Sequence, residues 1–249
     1  MGQSSCRDLI SALPSLKKKL GVDIVIVNGE NSADGNGITP HSADLLLNGG
    51  VDIITTGNHC FKRPEMASLY EESSVIIRPA NYGKDCPGRG YCILDLGAYS
   101  LAVINLVGIN YMQAVENPFF YADKILENID TKNIIVDFHA EATSEKKAMG
   151  YYLAERVSAV LGTHTHVQTA DEGIISSHTG YITDVGMTGV AESVLGIDKN
   201  VIIARLTTYY PQRHTYAKGS ATLNAVLLNI DHKSGRCCQI KRICELLEN

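Results

Sequence analysis

An α/β fold of mixed rather than purely parallel strands, in one mixed sheet or two packed sheets with helices on the faces, is what this sequence predicts. Three observations predict it. Short β-branched runs alternate with helical stretches, two regions read as hairpins, and no repeat, low-complexity tract or long linker divides the chain. With 249 residues, 45% of them hydrophobic, the chain can bury a sizeable core. Residues 1–249 are read as one domain.

The elements run in this order. Residues 7–20 form a helix with Pro14 as a potential kink, and 23–27 (DIVIV) form a buried strand. Residues 39–48 form a second helix, with Thr39 as N-cap, Pro40 in the first turn and Gly49-Gly50 at its end. A second strand covers 51–55 (VDIIT). Between 91 and 106, Gly97-Ala98 separates two apolar runs, as in a hairpin. Residues 134–138 (IIVDF) and 158–161 (SAVL) are further buried strands, flanking a helix over 145–157 capped by Ser144. From Gln212 onward the chain reads as antiparallel, with 222–230 and 239–246 divided by Lys233-Ser234-Gly235.

Composition removes several functions. Twenty-two Lys and Arg against 27 Asp and Glu leave a net charge of −5, no footprint for bulk nucleic-acid binding, although a small nucleotide ligand stays open. No apolar stretch is long enough for a bilayer, and the start lacks the apolar core of a signal peptide. Met1-Gly2 misses a myristoylation signal because position 6 is Cys6. Seven cysteines without a C-x-x-C pair suggest neither a disulfide framework nor a cysteine zinc site, and free thiols point to a reducing cytoplasm.

The informative pattern lies in the residues just past each strand. After DIVIV comes Asn28-Gly29-Glu30-Asn31; after VDIIT comes Thr56-Gly57-Asn58-His59. After IIVDF comes His139-Ala140-Glu141; after SAVL comes Gly162-Thr163-His164-Thr165-His166. Any one such loop is most simply a turn or a hydrogen-bonded histidine. Four in succession, each bearing nitrogen or oxygen ligands, suit one crevice at the carboxyl ends of the strands. Imidazole suits Zn, Fe, Ni and Cu, while carboxylate and amide oxygens also suit Mn and Mg. Glu30 can bridge two ions, and two ions about 3.5–4 Å apart can clamp an in-line displacement at phosphorus. Cys60, beside His59, faces the other way in an extended segment and is read as structural. No H-E-x-x-H, G-x-S-x-G or G-x-x-x-x-G-K-[ST] supports a protease, an esterase or an NTPase.

These four loops, with residues 137–146 and 162–169 around them, resemble the YmdB-like family of calcineurin-type metallophosphoesterases, bacterial 2',3'-cyclic-nucleotide 2'-phosphodiesterases. Supporting matches run through Arg78-Pro79-Ala80-Asn81 and residues 181–189 and 193–196, so the resemblance spans nearly the whole chain. It implies a metallophosphoesterase-type two-sheet sandwich of mixed strands flanked by helices. It also implies two divalent or mixed-valence metal ions, iron or manganese. Glu30 would bridge them; Asn31 and His166 would join one ion, and Asn58, His139 and His164 the other. His59 would protonate the departing 2'-oxygen while water attacks phosphorus, giving a 3'-nucleotide. The implied partner is a small cyclic nucleotide or phosphodiester, with no membrane; a homo-oligomer is compatible.

The sequence departs from the family pattern twice. Ile109 stands where family members commonly have Arg after a glycine, which touches a phosphate or substrate contact. The family also begins with a strand ending in Gly-Asp, whose Asp is a further ligand. Here that pair would fall just upstream of Met1, with residues 1–8 matching the loop after it. The alternative reading is therefore a catalytically impaired homologue with an incomplete metal site, acting in binding or regulation.

Overall fold

The computed structural model describes residues 1–34, 36–113 and 115–247. Helix α1 (Gly2–Leu20) buries Cys6, Leu9, Leu13 and Leu16, a spacing that lines one face. It contains Pro14 and stops at Gly21, which takes a left-handed φ of 64°. Residues 2–6, ahead of the expected helix, are its first turns, because Cys6 already faces the core and Gly2 N donates to the Asn31 carbonyl at 2.9 Å.

Strand β1 (Ile26–Asn28), α2 (Pro40–Asn48), β2 (Ile53–Thr55) and α3 (Met66–Glu72) come next. Thr39 caps α2 as predicted, accepting from Ser42 N while the Ser42 hydroxyl accepts from Thr39 N. β1 and β2 pair in parallel but are shorter than predicted. The Asp52 carboxylate takes Val25 N at 2.8 Å, so a side chain stands in for the ladder at its start.

The six-stranded sheet contains β3 (Tyr91–Asp95), β4 (Ser100–Val107), β5 (Ile134–His139), β6 (Ala159–Thr163), β7 (Gly173–Ile175) and β8 (Thr179–Ile182). Its order is β3-β4-β5-β6-β8-β7, with β4, β5, β6 and β8 parallel and antiparallel strands at both edges. A three-stranded antiparallel sheet joins β9 (Gly189–Val190), β10 (Ala221–Ile230) and β11 (Cys237–Leu247). Both predicted hairpins are present, the first turning where Gly97 has a φ of 77°. Helices α4 (Pro118–Leu126), α5 (Thr143–Tyr152) and α6 (Lys199–Thr208) complete the set.

α5 corrects one expectation. Ala142, not Ser144, stands at its N-cap, and it ends at Tyr152 instead of 157. Glu155 takes a φ of 67° and donates its N–H to Thr179 Oγ1, which bends the chain toward β6.

Side-chain alternation sorts the layers. Ile104, Leu106, Val136 and Phe138 pack against Ala122 and Ile125 of α4 and Met149 of α5. Leu101, Val103 and Ile135 point the opposite way and meet Ile26, Ile53 and Leu228 of the smaller sheets. The outer faces of those sheets are covered by α1, α2 and α3, through Leu13, Leu46 and Tyr70. The result is a sandwich of mixed strands flanked by helices, with the six-stranded sheet as one layer and, where two sheets were expected, two smaller sheets sharing the other. The same alternation turns Asp137 and His139 inward with Ile135. Among the described residues no helix is long and apolar enough to cross a membrane.

Candidate metal centre

The carboxyl ends of β1, β2, β5 and β6 meet at the inner face of the sandwich. Asn28 Nδ2 bridges the sheets, donating to the Thr56 carbonyl at 3.0 Å and to Asp137 Oδ2 at 2.9 Å. Just beyond, Glu30 is 2% exposed and His139 likewise, with Glu30 Oε2 3.2 Å from His139 Nε2. His139 Nε2 is also 3.0 Å from Asn58 Oδ1 and 3.0 Å from His164 Nδ1. Asn31 Nδ2 donates to Glu30 Oε1 at 3.1 Å. His59 N donates to Glu30 Oε2 at 3.1 Å, and its Nδ1 lies 3.2 Å from Asn31 Oδ1. All four predicted loops therefore converge. His166 is in the same loop as His164, and its Nδ1 is buried without a partner.

Burial opposes charge on Glu30, but the neighbouring His139 and His59 outweigh it and hold its pKa at about 2. His139 is shifted the other way: burial disfavours its cation, and the Glu30 carboxylate overrides burial to raise its pKa. Burial, then His139, pushes His164 down, and burial takes His166 down to about 4. Both therefore offer neutral imidazole lone pairs at neutral pH.

A second layer of residues orients these groups. Thr163 has one hydroxyl proton and gives it to Asp137 Oδ1 at 2.7 Å, so its oxygen accepts His139 Nδ1–H at 2.9 Å. That leaves His139 Nε2 as the coordinating atom once its proton is displaced. Beyond β6, His164 and His166 have φ values of 107° and 66°, both in the left-handed region. Thr165 between them is pinned through its N (2.9 Å) and Oγ1 (2.7 Å) to Asp184 Oδ2, which also takes Lys146 Nζ at 2.8 Å. Lys146 and Asp184 are each 1% exposed. Asp137, Lys146 and Asp184 were not singled out from the sequence as site residues. The available signal was a charge within an apolar stretch for Asp137 and Asp184; Lys146, in Glu145-Lys146-Lys147, had none.

The donor set fits a transition metal. Glu30, His139 and His164 each present a ligand atom, all within 4.8 Å of one another. Gly57 leaves room for them: a Cβ there would stand 2.2 Å from Glu30 Oε2 and 2.4 Å from His139 Nε2. Cys60 faces the core, and burial pushes its thiol up to about 12, consistent with a structural role. Ile109 N is occupied by Glu145 Oε1 at 2.9 Å, so the backbone at that departure from the family pattern is already engaged.

Solved structures match this architecture closely. A hypothetical protein from Thermus thermophilus superposes with a TM-score of 0.93 and 38% identity, covering 100% of this chain and 96% of that one. A phosphatase from Mycoplasma pneumoniae superposes with a TM-score of 0.91 and 30% identity, covering 98% and 90%. The sandwich, with its ligand cluster at the strand ends, thus defines a phosphoesterase of the metallophosphoesterase type. A Bacillus subtilis 2',3'-cyclic-nucleotide 2'-phosphodiesterase is 42% identical over 240 residues, 95% of this chain and 91% of that protein. Residues 1–243 match the YmdB-like protein family, and the chain belongs to it.

Proposed function

We propose that this chain hydrolyses 2',3'-cyclic nucleotides, or related small phosphodiesters, to 3'-nucleotides at a centre of two iron or manganese ions. The observation that carries the reading is the convergence of Glu30, His139 and His164 at the strand ends. The substrate class rests on likeness to the Bacillus enzyme. Glu30, with two carboxylate oxygens, would be the shared ligand. Asn58, His139 and His164 would hold one ion, and Asn31 and His166 would complete the other set. When bound, the ions supply Lewis acidity, which offsets charge on phosphoryl oxygens and makes water a nucleophile at neutral pH. His59 keeps Nδ1 against Asn31 and Glu30, which leaves Nε2 to protonate the departing 2'-oxygen. All seven cysteines are free thiols, in keeping with a reducing cytoplasmic setting.

The test is metal content per chain together with product analysis on 2',3'-cyclic AMP. Two ions and a 3'-product support the reading, and Glu30→Gln is expected to lose both metal and turnover. A Glu30→Gln chain that kept them would end the dinuclear account. One observation favours the second reading, an impaired homologue that binds without turnover. The set Glu30, Asn31 and His166 contains a single charged ligand, and that one is shared. One tightly held ion with no hydrolysis is the outcome that reading expects.

A further inference from the structure

Two groups lie against opposite edges of the His164 ring. Its Nδ1 is 3.0 Å from His139 Nε2, on the side of the ligand cluster, and its Nε2 is 3.0 Å from Glu141 Oε2. An ionised carboxylate only accepts, so the single proton of the neutral ring sits on Nε2, and the Nδ1 lone pair faces the cluster. Glu141 itself stands outside the group formed by Glu30, His139 and His164. Its side chain is 48% exposed, on the turn between β5 and α5, against 24% for His164. Strand register puts it there. His139 pairs with Thr163, and Ala140 N donates to Thr163 O at 3.3 Å, so the chain leaving β5 stays beside the chain leaving β6.

The three histidines read as ligands are backed differently. His139 Nδ1 has the Thr163 hydroxyl, His166 Nδ1 is buried without a partner, and His164 Nε2 has a carboxylate. For His164 that backing decides which atom meets an ion. Asp184 holds the neighbouring backbone through Thr165, and His164 has a φ of 107°, but a fixed backbone does not fix the ring. An imidazole turns about χ2 between two broad wells a half-turn apart. In one well Nδ1 faces the cluster; in the other Cδ2 takes its place and offers no lone pair, while Cε1 replaces Nε2. The bond to Glu141 exists in the first well alone.

We propose that Glu141 is a positioning residue, which accepts the Nε2 proton of His164 and so selects the tautomer and ring orientation that turn Nδ1 toward a metal ion. The inference rests on His164 as a ligand, as in the function proposed above. It gives a role to the one carboxylate in the four strand-end loops that the ligand set leaves unused. A carboxylate behind a ligating imidazole also raises its basicity, so the bond strengthens the donor as well as aiming it. Because Glu141 is so exposed, its replacement should leave the fold nearly unchanged, and its effect is confined to what His164 does.

The experiment compares the intact chain with Glu141→Ala and with Glu141→Gln, whose amide oxygen still accepts a proton. Calorimetric titration with Mn²⁺ at fixed pH reads affinity. Histidine ring NMR on the chelator-treated chain reads the His164 Nε2 proton, assigned by its loss in His164→Ala. Glu141→Ala should weaken Mn²⁺ binding by about tenfold or more and lose the Nε2 proton signal to exchange with water. Glu141→Gln should recover most of the affinity and the signal. In a His164→Ala background, Glu141→Ala should cause no further loss. Unchanged affinity in Glu141→Ala overturns the proposal, and so does a further loss in the His164→Ala background. Glu141→Gln binding as weakly as Glu141→Ala also overturns it, because Glu141 would then act only as a charge that attracts cations. An unsubstituted chain that takes up no Mn²⁺ ends the metal-centre reading instead. The Nε2 proton, observed without metal, still decides the role of Glu141, and its persistence in Glu141→Ala overturns that role.

Discussion

Replacing Lys146 by Met separates the charge it supplies from the volume it fills. Lys146 Nζ lies 2.8 Å from Asp184 Oδ2, and both residues are 1% exposed. The methionine keeps most of the side-chain volume, so the main loss is the counter-charge to a buried carboxylate. Breaking a buried pair on one side costs about 3–5 kcal/mol. At about 2–4 °C per kcal/mol for a domain of this size, Tm should fall by about 6–20 °C. Lys199→Met is the control, because its partner Glu192 is 86% exposed at 3.3 Å and such pairs contribute at most about 1 kcal/mol. Calorimetry in chelator compares the two without any contribution from metal. The same substitution should lower metal content, because Asp184 pins Thr165 between His164 and His166, both at positive φ. Adding Asp184→Leu removes the stranded carboxylate and should restore much of the stability but not the metal. A Lys146→Met chain no less stable than Lys199→Met, or a double variant with full metal content, refutes the reasoning.

Three further outcomes are expected. Gly57→Ala places a Cβ 2.2 Å from Glu30 Oε2 and 2.4 Å from His139 Nε2; it should cost about 1–3 kcal/mol and most of the bound metal, measured by elemental analysis after dialysis, with unchanged content counting against the site. His166 is held down to about 4 from 6.5, so on acidification the unfolded chain takes up a proton first. In chelator, stability should therefore fall between pH 6.5 and 4 by roughly 3 kcal/mol, and His166→Gln should flatten that slope in denaturant titrations. Cys60, with its thiol pushed up to about 12, should resist alkylation at pH 8 in the folded chain while exposed Cys238 and Cys244 react; rapid labelling of Cys60 would contradict its burial.

Local chemistry made much of the candidate site legible. Asn28-Gly29-Glu30-Asn31, Gly57-Asn58-His59, His139 and His164-Thr165-His166 each come directly after an apolar run, and the structure brings all four segments together. Capping at Thr39 and the two hairpins were readable for the same reason, since a cap or a turn is decided by residues a few positions apart. The ends of α1 and α5 were not. Gly2 is tied to Asn31 and Glu155 to Thr179, partners far away in sequence.

By itself, then, the sequence determined most of the strands, though not β7, β8 or β9, the side chains that could bind a metal, and the family to which the chain belongs. Periodicity and motif spacing are local properties, carried within about a dozen residues. Only the tertiary structure decided that Thr163 relays Asp137 to His139, and that Lys146 and Asp184 hold Thr165 between two left-handed histidines. Each of these depends on groups brought close from distant parts of the chain, and burial is what gives a charge or a lone pair its energetic weight.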